Sequence, residues 1–358
     1  MIKSIYHVIG VMSGTSLDGI DLCYVVFEYK NNWQFKILQS NTYDYTNTWK
    51  QRLGSLIHLT DNELNKINIE YTQYTAQFIN QFISEFGITT IDFVSSHGHT
   101  ATHKPELLLT IQIGNRPELS DLINQKVVCD FRVQDVALGG QGAPLVPIGD
   151  ELLFHKYDSC LNLGGFANVS FKNNNQRVAF DICPFNYVLN YLSNQMGLAY
   201  DDAGMIARSG TLNNALLNQL NLLPFYNQKH PKSLGAEWVQ DYFFPIINGY
   251  NIPIKDALKT CVIHFASQIH EALSLNDNKG KILLTGGGTF NSFFIETLRQ
   301  LSSFDIVVPN KDVINFKEAL IFAFLGVLKV RNEVNCLRSV TGASKDHSSG
   351  KIYYPKIS

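Results

Sequence analysis

The sequence predicts an α/β protein built from two lobes of related architecture that face a cleft. Each half of the 358-residue chain begins with a strand, a glycine-containing turn and a second strand, and continues into mixed strands and helices. A chain of this length can form two domains with sizeable cores. No low-complexity linker separates the halves. We expect lobe I to comprise 1–131 and 332–358, and lobe II to comprise 132–331.

Composition excludes several classes of protein. Hydrophobic residues make up 45% of the chain and charged residues 17%, as in ordinary globular proteins. The net charge of −2 gives no broad attraction to nucleic acid or to an anionic membrane. The six cysteines are scattered, the N-terminus lacks a signal-peptide pattern, and the longest apolar run, 319–328, is too short to span a bilayer. We therefore predict a cytoplasmic protein with no nucleic-acid or membrane partner.

Apolar periodicity places the elements of the first half. Strands are expected at 4–10, 20–29, 33–39, 91–95, 107–113 and 126–131. Thr60 and Glu63 have the spacing of a capping box and open a helix that Gly87 ends. The apolar stripe of this helix follows the helical period and consists of Ile67, Tyr71, Tyr74, Phe78 and Phe82.

The second half repeats the opening pattern and then becomes mostly helical. Strands are expected at 159–163, 166–171, 177–181, 281–284 and 304–308. Helices are expected at 184–196, 202–209, 255–275, from about 291, and at 318–330.

The turn of the first hairpin, 13–19, has the residues of a nucleotide-phosphate site. Gly14 and Gly19 permit positive φ and leave no side chain in the way, so main-chain N–H groups can approach a phosphate. Hydroxyl donors are available from Thr15 and Ser16. The carboxylates of Asp18 and Asp21 can hold Mg²⁺ directly or through water. An ordinary hairpin built from turn residues is the alternative interpretation.

Two further glycine turns follow strands, at Gly164-Gly165 and at Gly286-Gly287-Gly288. None of the three turns has the spacing of a P-loop or of a dinucleotide-binding unit. Two hairpin turns from two lobes could hold the β- and γ-phosphates from opposite sides, and the third turn could admit a flat purine. Any one of these turns, taken alone, is as often a purely structural turn as a binding site.

Histidine and arginine residues suggest two binding roles. His97, His99 and His103 have a spacing that can share a metal ion, but such histidines more often bond a polar ligand or one another. Arg132 follows a strand and is suited to fixing a substrate carboxylate bidentately. A salt bridge from Arg132 to Asp130 or Asp135 is the alternative.

Two carboxylates are candidates for chemistry. Asp181 follows an apolar strand and is well placed as a general base, although it could instead cap the helix that begins at Pro184. Glu318 precedes a strongly apolar helix and could reach into the cleft, or it could serve only as a partner of the helix dipole.

With these residues the chain resembles the anhydro-N-acetylmuramic acid kinase family of the sugar kinase, actin and heat-shock ATPase superfamily. The resemblance covers nearly the whole chain. The segments that carry it are 10–21, 130–132, 139–147, 162–168, 286–288 with Asn291, 318–319 and 340–343.

The resemblance implies two actin-like (ribonuclease H-like) lobes with mixed central sheets flanked by helices, ATP and Mg²⁺ in the cleft, and a homodimer formed through lobe II. The ATP-binding residues it implies are Gly14, Thr15, Ser16, Leu17, Asp18, Gly19, Ile20, Asp21, Asn162, Gly164, Gly165, Asn168, Gly286, Gly287 and Gly288. The sugar-binding residues it implies are His97, Arg132, Asn186 and Glu318.

The reaction implied by the resemblance belongs to peptidoglycan recycling. Water opens the 1,6-anhydro ring of anhydro-N-acetylmuramic acid while O6 takes the γ-phosphoryl group, which gives N-acetylmuramic acid 6-phosphate. The bridged sugar has no free 6-hydroxyl, so a nucleophile must attack C1 as O6 leaves toward phosphorus. Asp181 matches the family's base and would deprotonate this water.

Departures from the family pattern keep other functions open. Ile182 and Phe185 replace small residues beside Asp181, and the segment 232–237 lacks an arginine that the family commonly carries. A kinase of another amino sugar, acting on a free hydroxyl, is one alternative. A nucleotide-responsive sugar-binding protein without turnover is another, motivated by Cys183 and Phe185. A metal-dependent hydrolase using the three histidines is a third.

Overall fold

The chain divides into two units, each with its own sheet and core. In this computed structural model, residues 3–14, 17–276 and 280–356 are described. Unit 1 comprises Met1–Leu153 and Phe316–Ser358, and unit 2 comprises Phe154–Asn315.

The division differs from the expected boundaries at 131/132 and 331/332, because two helical segments pack in unit 1. A Cβ on Gly149 would lie 2.6 Å from Cγ1 of Ile321, so these helices approach closely. Beside that contact, buried Asp150 and Lys317 form an ion pair of 2.8 Å. Contacts between residues so far apart in sequence leave no signal in local composition.

Unit 1 contains a six-stranded mixed sheet with the order β13-β7-β4-β1-β2-β3. The first three strands form an antiparallel meander, and β4 and β7 follow in parallel. The strands are β1 (Ile5–Met12), β2 (Gly19–Lys30), β3 (Asn32–Asp44), β4 (Phe93–Ser96), β7 (Val127–Cys129) and β13 (Lys351–Tyr353), with β5 (His99–Lys104) and β6 (Leu109–Ile113) forming a separate two-stranded sheet.

The helices of unit 1 cover this sheet. They are α1 (Asn47–Gly54), α2 (Asp61–Glu85), α3 (Glu118–Ile123), α4 (Val133–Ala137), α5 (Pro147–Leu153), α14 (Arg338–Thr341) and the greater part of α13 (Lys311–Val330). The predicted capping box opens α2, where the Thr60 N–H donates to Glu63 over 2.9 Å. Gly87 follows α2 with φ of 58°, which confirms the predicted stop.

Unit 2 contains a five-stranded sheet with the order β10-β9-β8-β11-β12. Its first three strands again form an antiparallel meander, and the next two again follow in parallel. The strands are β8 (Ser159–Leu163), β9 (Phe166–Asn173), β10 (Gln176–Pro184), β11 (Lys281–Thr285) and β12 (Asp305–Val307). In each unit, the strands taken in chain order therefore lie 3-2-1-4-5 across the sheet, and this confirms the predicted duplication.

The helices of unit 2 surround α11, which is buried on most of its surface. They are α6 (Asn186–Asn194), α7 (Met205–Ser209), α8 (Asn214–Asn221), α9 (Ala236–Trp238), α10 (Phe244–Asn248), α11 (Ile254–Ser274) and α12 (Ser292–Leu301). Each unit has a separate apolar cluster of buried side chains.

Two of the differences from the expected element ends affect candidate site residues. β10 continues to Pro184 through a bulge between Asp181 and Cys183, so the following helix begins at Asn186 and Asp181 does not cap it. α13 begins seven positions before the expected start and is kinked at Phe316 (φ −115°, ψ 15°). Glu318 therefore lies inside α13, two positions after this kink.

Every helix among the described residues is too short or too polar to traverse a lipid bilayer. The six cysteines are all buried, and none of them is part of a disulfide.

Candidate active site

The first hairpin turn lies at the ends of β1 and β2. A Cβ on Gly19 would overlap the carbonyl of Tyr43 in β3, so close packing rather than positive φ requires glycine there. Among the described residues of this turn, Leu17 is the one with a positive φ, which is 58°. Ile20 is buried in the core, so we expect only its main chain to be available to a ligand. Thr15 and Ser16 lie outside the described residues.

Asp21 faces a cluster of negative charge in unit 1. Its pKa is raised to about 6, mainly by burial and in part by the nearby carboxylates of Glu318 and Asp18, while a hydrogen bond from Thr42 opposes the shift. The Thr42 hydroxyl donates to one Asp21 oxygen over 2.6 Å. Carboxylates that lie close enough to raise the pKa of Asp21 favour a bound cation, and oxygen ligands suit Mg²⁺. These residues therefore fit the predicted magnesium site.

Glu318 keeps an exposed side chain although protein surrounds it closely. The resulting loss of solvation raises its pKa, and the positive charges of Arg132 and Lys317 oppose this shift. The carboxylate is thus accessible to a ligand and electrostatically linked to the arginine that was predicted to act with it.

Arg132 is held by two hydrogen bonds in unit 1. Its Nε donates to Nε2 of His97 over 2.8 Å, and its Nη1 donates to the Gly142 carbonyl over 2.7 Å. Burial and the adjacent guanidinium hold the pKa of His97 well below its usual range, so the imidazole is neutral. His97 therefore orients Arg132, and donors remain on the guanidinium for a carboxylate.

The alternative of a salt bridge from Arg132 is not what the structure shows. Asp130 pairs with Lys351 over 2.6 Å, and Asp135 accepts hydrogen bonds from Thr341 Oγ1 and from the Gly142 N–H, both over 2.7 Å.

A buried network of hydroxyl groups supports the start of the hairpin turn, and no local sequence pattern predicts it. Ser13 Oγ lies 2.5 Å from the Tyr45 hydroxyl and 2.8 Å from Nδ1 of His99. Tyr45 in turn lies 2.6 Å from the Tyr71 hydroxyl. Tyr71 was expected only as part of an apolar helix stripe.

The three histidines do not meet as a metal-ligand cluster within the described residues. His97 bonds Arg132, His99 bonds Ser13, and Nδ1 of His103 lies 3.0 Å from the Thr110 hydroxyl. The structure thus supports the interpretation of histidines that hydrogen-bond polar groups.

In unit 2, sheet register aligns three of the predicted residues. Asn162 of β8 pairs with Asn168 of β9, which pairs with Asp181 of β10. Directly opposed residues have Cβ atoms roughly 4.5–5.5 Å apart on one face of a sheet. All three side chains are partly accessible, so they form a polar row at one end of the sheet.

The Gly164-Gly165 turn joins this row to the start of α6. The Gly165 carbonyl accepts hydrogen bonds from the N–H groups of Phe185 and Tyr187, and the Gly164 carbonyl accepts one from Asn186. A Cβ on Gly165 would meet nothing closer than 4.0 Å, so this turn leaves open space for a ligand. Asn186 also donates from its side chain to the Leu163 carbonyl over 3.3 Å.

The third glycine turn follows β11. Gly286 has φ of 83°, and a Cβ there would lie 2.8 Å from the Leu163 main chain. Its N–H donates to the Ile314 carbonyl over 3.3 Å. A Cβ on Gly287 would meet only the Asn186 amide at 3.9 Å. The turn is therefore packed at Gly286 and open at Gly287, as a site for a flat ligand requires.

Asp181 is held by a segment that sequence reasoning did not connect with it. One carboxylate oxygen accepts the Leu234 N–H over 2.8 Å, and the Asp181 N–H donates to the Lys232 carbonyl over 3.0 Å. Burial raises the pKa of Asp181, and the Leu234 hydrogen bond opposes this shift. The carboxylate is thus fixed in orientation, partly accessible and more basic than an ordinary aspartate, as a general base should be.

The departures beside Asp181 lie in the core. Ile182, Cys183 and Phe185 are buried, and Phe185 packs edge-to-face on Phe294 with ring centroids 4.7 Å apart. These side chains pack beneath the site, so we no longer take their substitution as favouring a protein without turnover.

Comparison with known proteins gives one consistent result. The family model described as anhydro-N-acetylmuramic acid kinase matches residues 6–355. Proteins named anhydro-N-acetylmuramic acid kinase from Saccharophagus degradans and Zymomonas mobilis are each 30% identical to this chain, over 97% of it and 98% and 99% of their own lengths. The protein of that name from Hydrogenovibrio crunogenus is 29% identical, over 97% of this chain and 98% of its own.

Solved structures are more distant. The activator of the 2-hydroxyisocaproyl-CoA dehydratase from Clostridium difficile with bound ADPNP has a TM-score of 0.46 and 12% identity, with 91% of this chain and 96% of that chain covered. A ROK family glucokinase from Streptomyces griseus in complex with glucose and AMPPNP has a TM-score of 0.42 and 11% identity, with 89% and 98% covered.

Proposed function

The chain belongs to the anhydro-N-acetylmuramic acid kinase family, and from that premise we propose how its residues divide the work of the reaction. The activity is phosphoryl transfer from ATP to anhydro-N-acetylmuramic acid in cell-wall recycling. The observation that supports a hydrolytic ring opening is Asp181, a carboxylate with one oxygen fixed by the Leu234 N–H and with a raised pKa.

Asp181 takes a proton from the attacking water. The oxygen of that water forms a bond to C1 of the sugar, the C1–O6 bond breaks, and O6 takes the γ-phosphoryl group, so ADP leaves. The products are N-acetylmuramic acid 6-phosphate and ADP. A positioned general base contributes about 10²–10⁴-fold to such a step.

Three turns hold ATP. In unit 1, residues 14–21 contribute main-chain N–H groups, and Asp18 and Asp21 hold Mg²⁺ directly or through water. Mg²⁺, when bound, neutralises charge on the phosphoryl oxygens. In unit 2, Gly164 and Gly165 with the amides of Asn162 and Asn168 serve the phosphates, and the 286–288 turn accepts the adenine. The open Cβ directions at Gly165 and Gly287 support these assignments.

Four residues bind the sugar. Arg132, oriented by neutral His97, offers its remaining N–H groups to the substrate carboxylate. Glu318 accepts hydrogen bonds from sugar hydroxyl or amide groups, and its exposure supports this role. Asn186 completes the set.

Product analysis in ¹⁸O-labelled water, with ATP and 1,6-anhydro-N-acetylmuramic acid, tests this mechanism. We expect one ADP per sugar phosphate and the label at C1. Sugar phosphate without the label at C1 would exclude hydrolytic ring opening and favour a kinase that acts on a free hydroxyl.

We further propose a homodimer, on the strength of the family resemblance, and a cytoplasmic location, which six buried cysteines outside any disulfide support because they suit a reducing compartment. Sedimentation equilibrium should give twice the chain mass of 40.3 kDa. A single-chain mass at micromolar concentration would contradict the dimer.

A further inference from the structure

Three metal-binding side chains that have no assigned role toward ATP or sugar meet in unit 1. Asp135, Cys336 and His347 each offer a ligand atom, and these atoms all lie within 4.8 Å of one another. All three residues are buried. It is the one cluster of this kind within the residues that the structure describes.

The tautomer of His347 leaves a lone pair directed at a negative group. Nδ1 of His347 lies 3.1 Å from the Lys345 carbonyl, which can only accept a hydrogen bond, so Nδ1 carries the proton. In the neutral ring, Nε2 is then an acceptor. It lies 3.6 Å from Oδ1 of Asp135 and has no hydrogen-bond partner. Two buried acceptors that face each other are unfavourable unless a proton or a metal cation lies between them.

The other ligands are already oriented. Oδ1 of Asp135 accepts the Thr341 hydroxyl and Oδ2 accepts the Gly142 N–H, so the carboxylate cannot rotate away. Cys336 and His347 exchange main-chain hydrogen bonds of 3.1 and 3.2 Å, which fixes the two residues opposite each other. Hydrogen bonds that orient a carboxylate and an imidazole in this way are typical of the shell around a bound metal.

We propose that Asp135, Cys336 and His347 bind one Zn²⁺ ion through Oδ1, Sγ and Nε2. One thiolate, one imidazole and one carboxylate form a ligand set that suits zinc, and a water completes a tetrahedral site. Burial raises the pKa of the Cys336 thiol in the metal-free chain, so metal binding releases its proton to solvent.

The role of this site is structural. It joins the segment 336–347 to the loop that contains Gly142, and the Gly142 carbonyl is one of the two acceptors that hold Arg132. A metal there would stiffen the support of the sugar-binding arginine. The proposal does not depend on the identity of the sugar or on Asp181.

Metal analysis of the purified full chain is the first test. We expect one zinc per chain after dialysis without chelator, and removal by a strong chelator with a fall in melting temperature. Cobalt added to the metal-free chain should give thiolate-to-cobalt charge-transfer absorption in the near ultraviolet. A chain that takes up no zinc and gives no such absorption overturns the proposal.

Variants identify the ligands. Cys336→Ser should abolish the charge-transfer absorption, whereas Cys261→Ser, at a buried thiol of unit 2, should retain it. Thr341→Val removes the short hydrogen bond to Asp135, along with two long ones of 3.4 Å to main-chain groups, and should weaken zinc affinity about 10–100-fold. If Cys336→Ser does not fold, His347→Gln reports instead through the cobalt ligand-field bands. Unchanged cobalt spectra in the soluble variants, or ¹⁵N signals of a His347 ring protonated at both nitrogens in the zinc-treated chain, would show a simple ion pair and overturn the proposal.

Discussion

Units 1 and 2 begin with the same three-stranded meander but carry their carboxylates on different strands. In unit 1, register aligns Met12, Asp21 and Thr42, so the carboxylate lies on the middle strand. In unit 2 the corresponding row is Asn162, Asn168 and Asp181, and the carboxylate lies on the edge strand.

The surroundings of these two carboxylates differ in charge. Glu318 and Asp18 add negative charge around Asp21, whereas Asp181 is bonded to a main-chain N–H and lies beside neutral amides. Both groups have a raised pKa because of burial. A cluster of carboxylates attracts a cation, while a single carboxylate with a raised pKa is suited to take a proton. One topology thus supports two kinds of chemistry.

Asp181→Asn should give the largest effect. An amide of the same shape cannot accept the proton of water, so we expect kcat to fall about 10²–10⁴-fold with little change in melting temperature. Asp158→Asn is the matched control, because Asp158 is also half-buried in unit 2 and accepts a main-chain N–H, from Lys281, over 2.7 Å. Comparable kcat values for the two variants would remove Asp181 from the mechanism.

Lys317→Met should give the largest loss of stability, because it removes the positively charged partner of buried Asp150. Breaking such a pair lowers the free energy of unfolding by about 3–5 kcal/mol, and denaturant titration measures it. The double variant Asp150→Leu with Lys317→Met should recover most of this loss. In unit 2, Arg208→Met breaks an exposed pair with Glu296 and should change stability little. Equal losses of unfolding free energy in Lys317→Met and Arg208→Met would contradict this difference between a buried and an exposed ion pair.

Glycine substitutions separate a packed site from an open one. A Cβ at Gly10 in β1 would overlap the Ala319 carbonyl of α13, so Gly10→Ala should cost about 1–3 kcal/mol of unfolding free energy. Gly165→Ala in unit 2 has open space and should change stability by less than about 0.5 kcal/mol. Thermal unfolding of both variants checks this, and a larger loss at Gly165 would show that its turn is packed.

Magnesium affinity should depend on pH through Asp21. Its pKa of about 6 means that the proton competes with the cation below that pH, so the affinity should fall about tenfold for each further pH unit. In the metal-free chain the same shift destabilises the ionised form, so the contribution of Asp21 to unfolding free energy falls as pH rises from about 4 to about 6. Calorimetric titration of wild type and Asp21→Asn measures the effect, and a pH-independent affinity would exclude Asp21 as a ligand.

Local sequence determined the two hairpins, the long helices α2 and α11, and the glycine turns. Each depends on periodicity, on turn residues or on caps that lie within a few positions of one another. Motif segments such as 10–21 also determined the family, and with it the activity, because matches spread over the whole chain do not arise by chance.

Tertiary structure decided what surrounds the reactive groups. Two contacts join residues that are far apart in sequence: Asp181 with Leu234, and Asp135 with Cys336 and His347. The start and the kink of α13 also differ from what its local sequence predicts. The bond from Arg132 to His97 joins residues that follow two neighbouring strands, β7 and β4, and likewise has no local pattern. Secondary structure follows from neighbours in the chain, but the basicity and orientation of a side chain follow from burial and from partners that only the folded chain supplies.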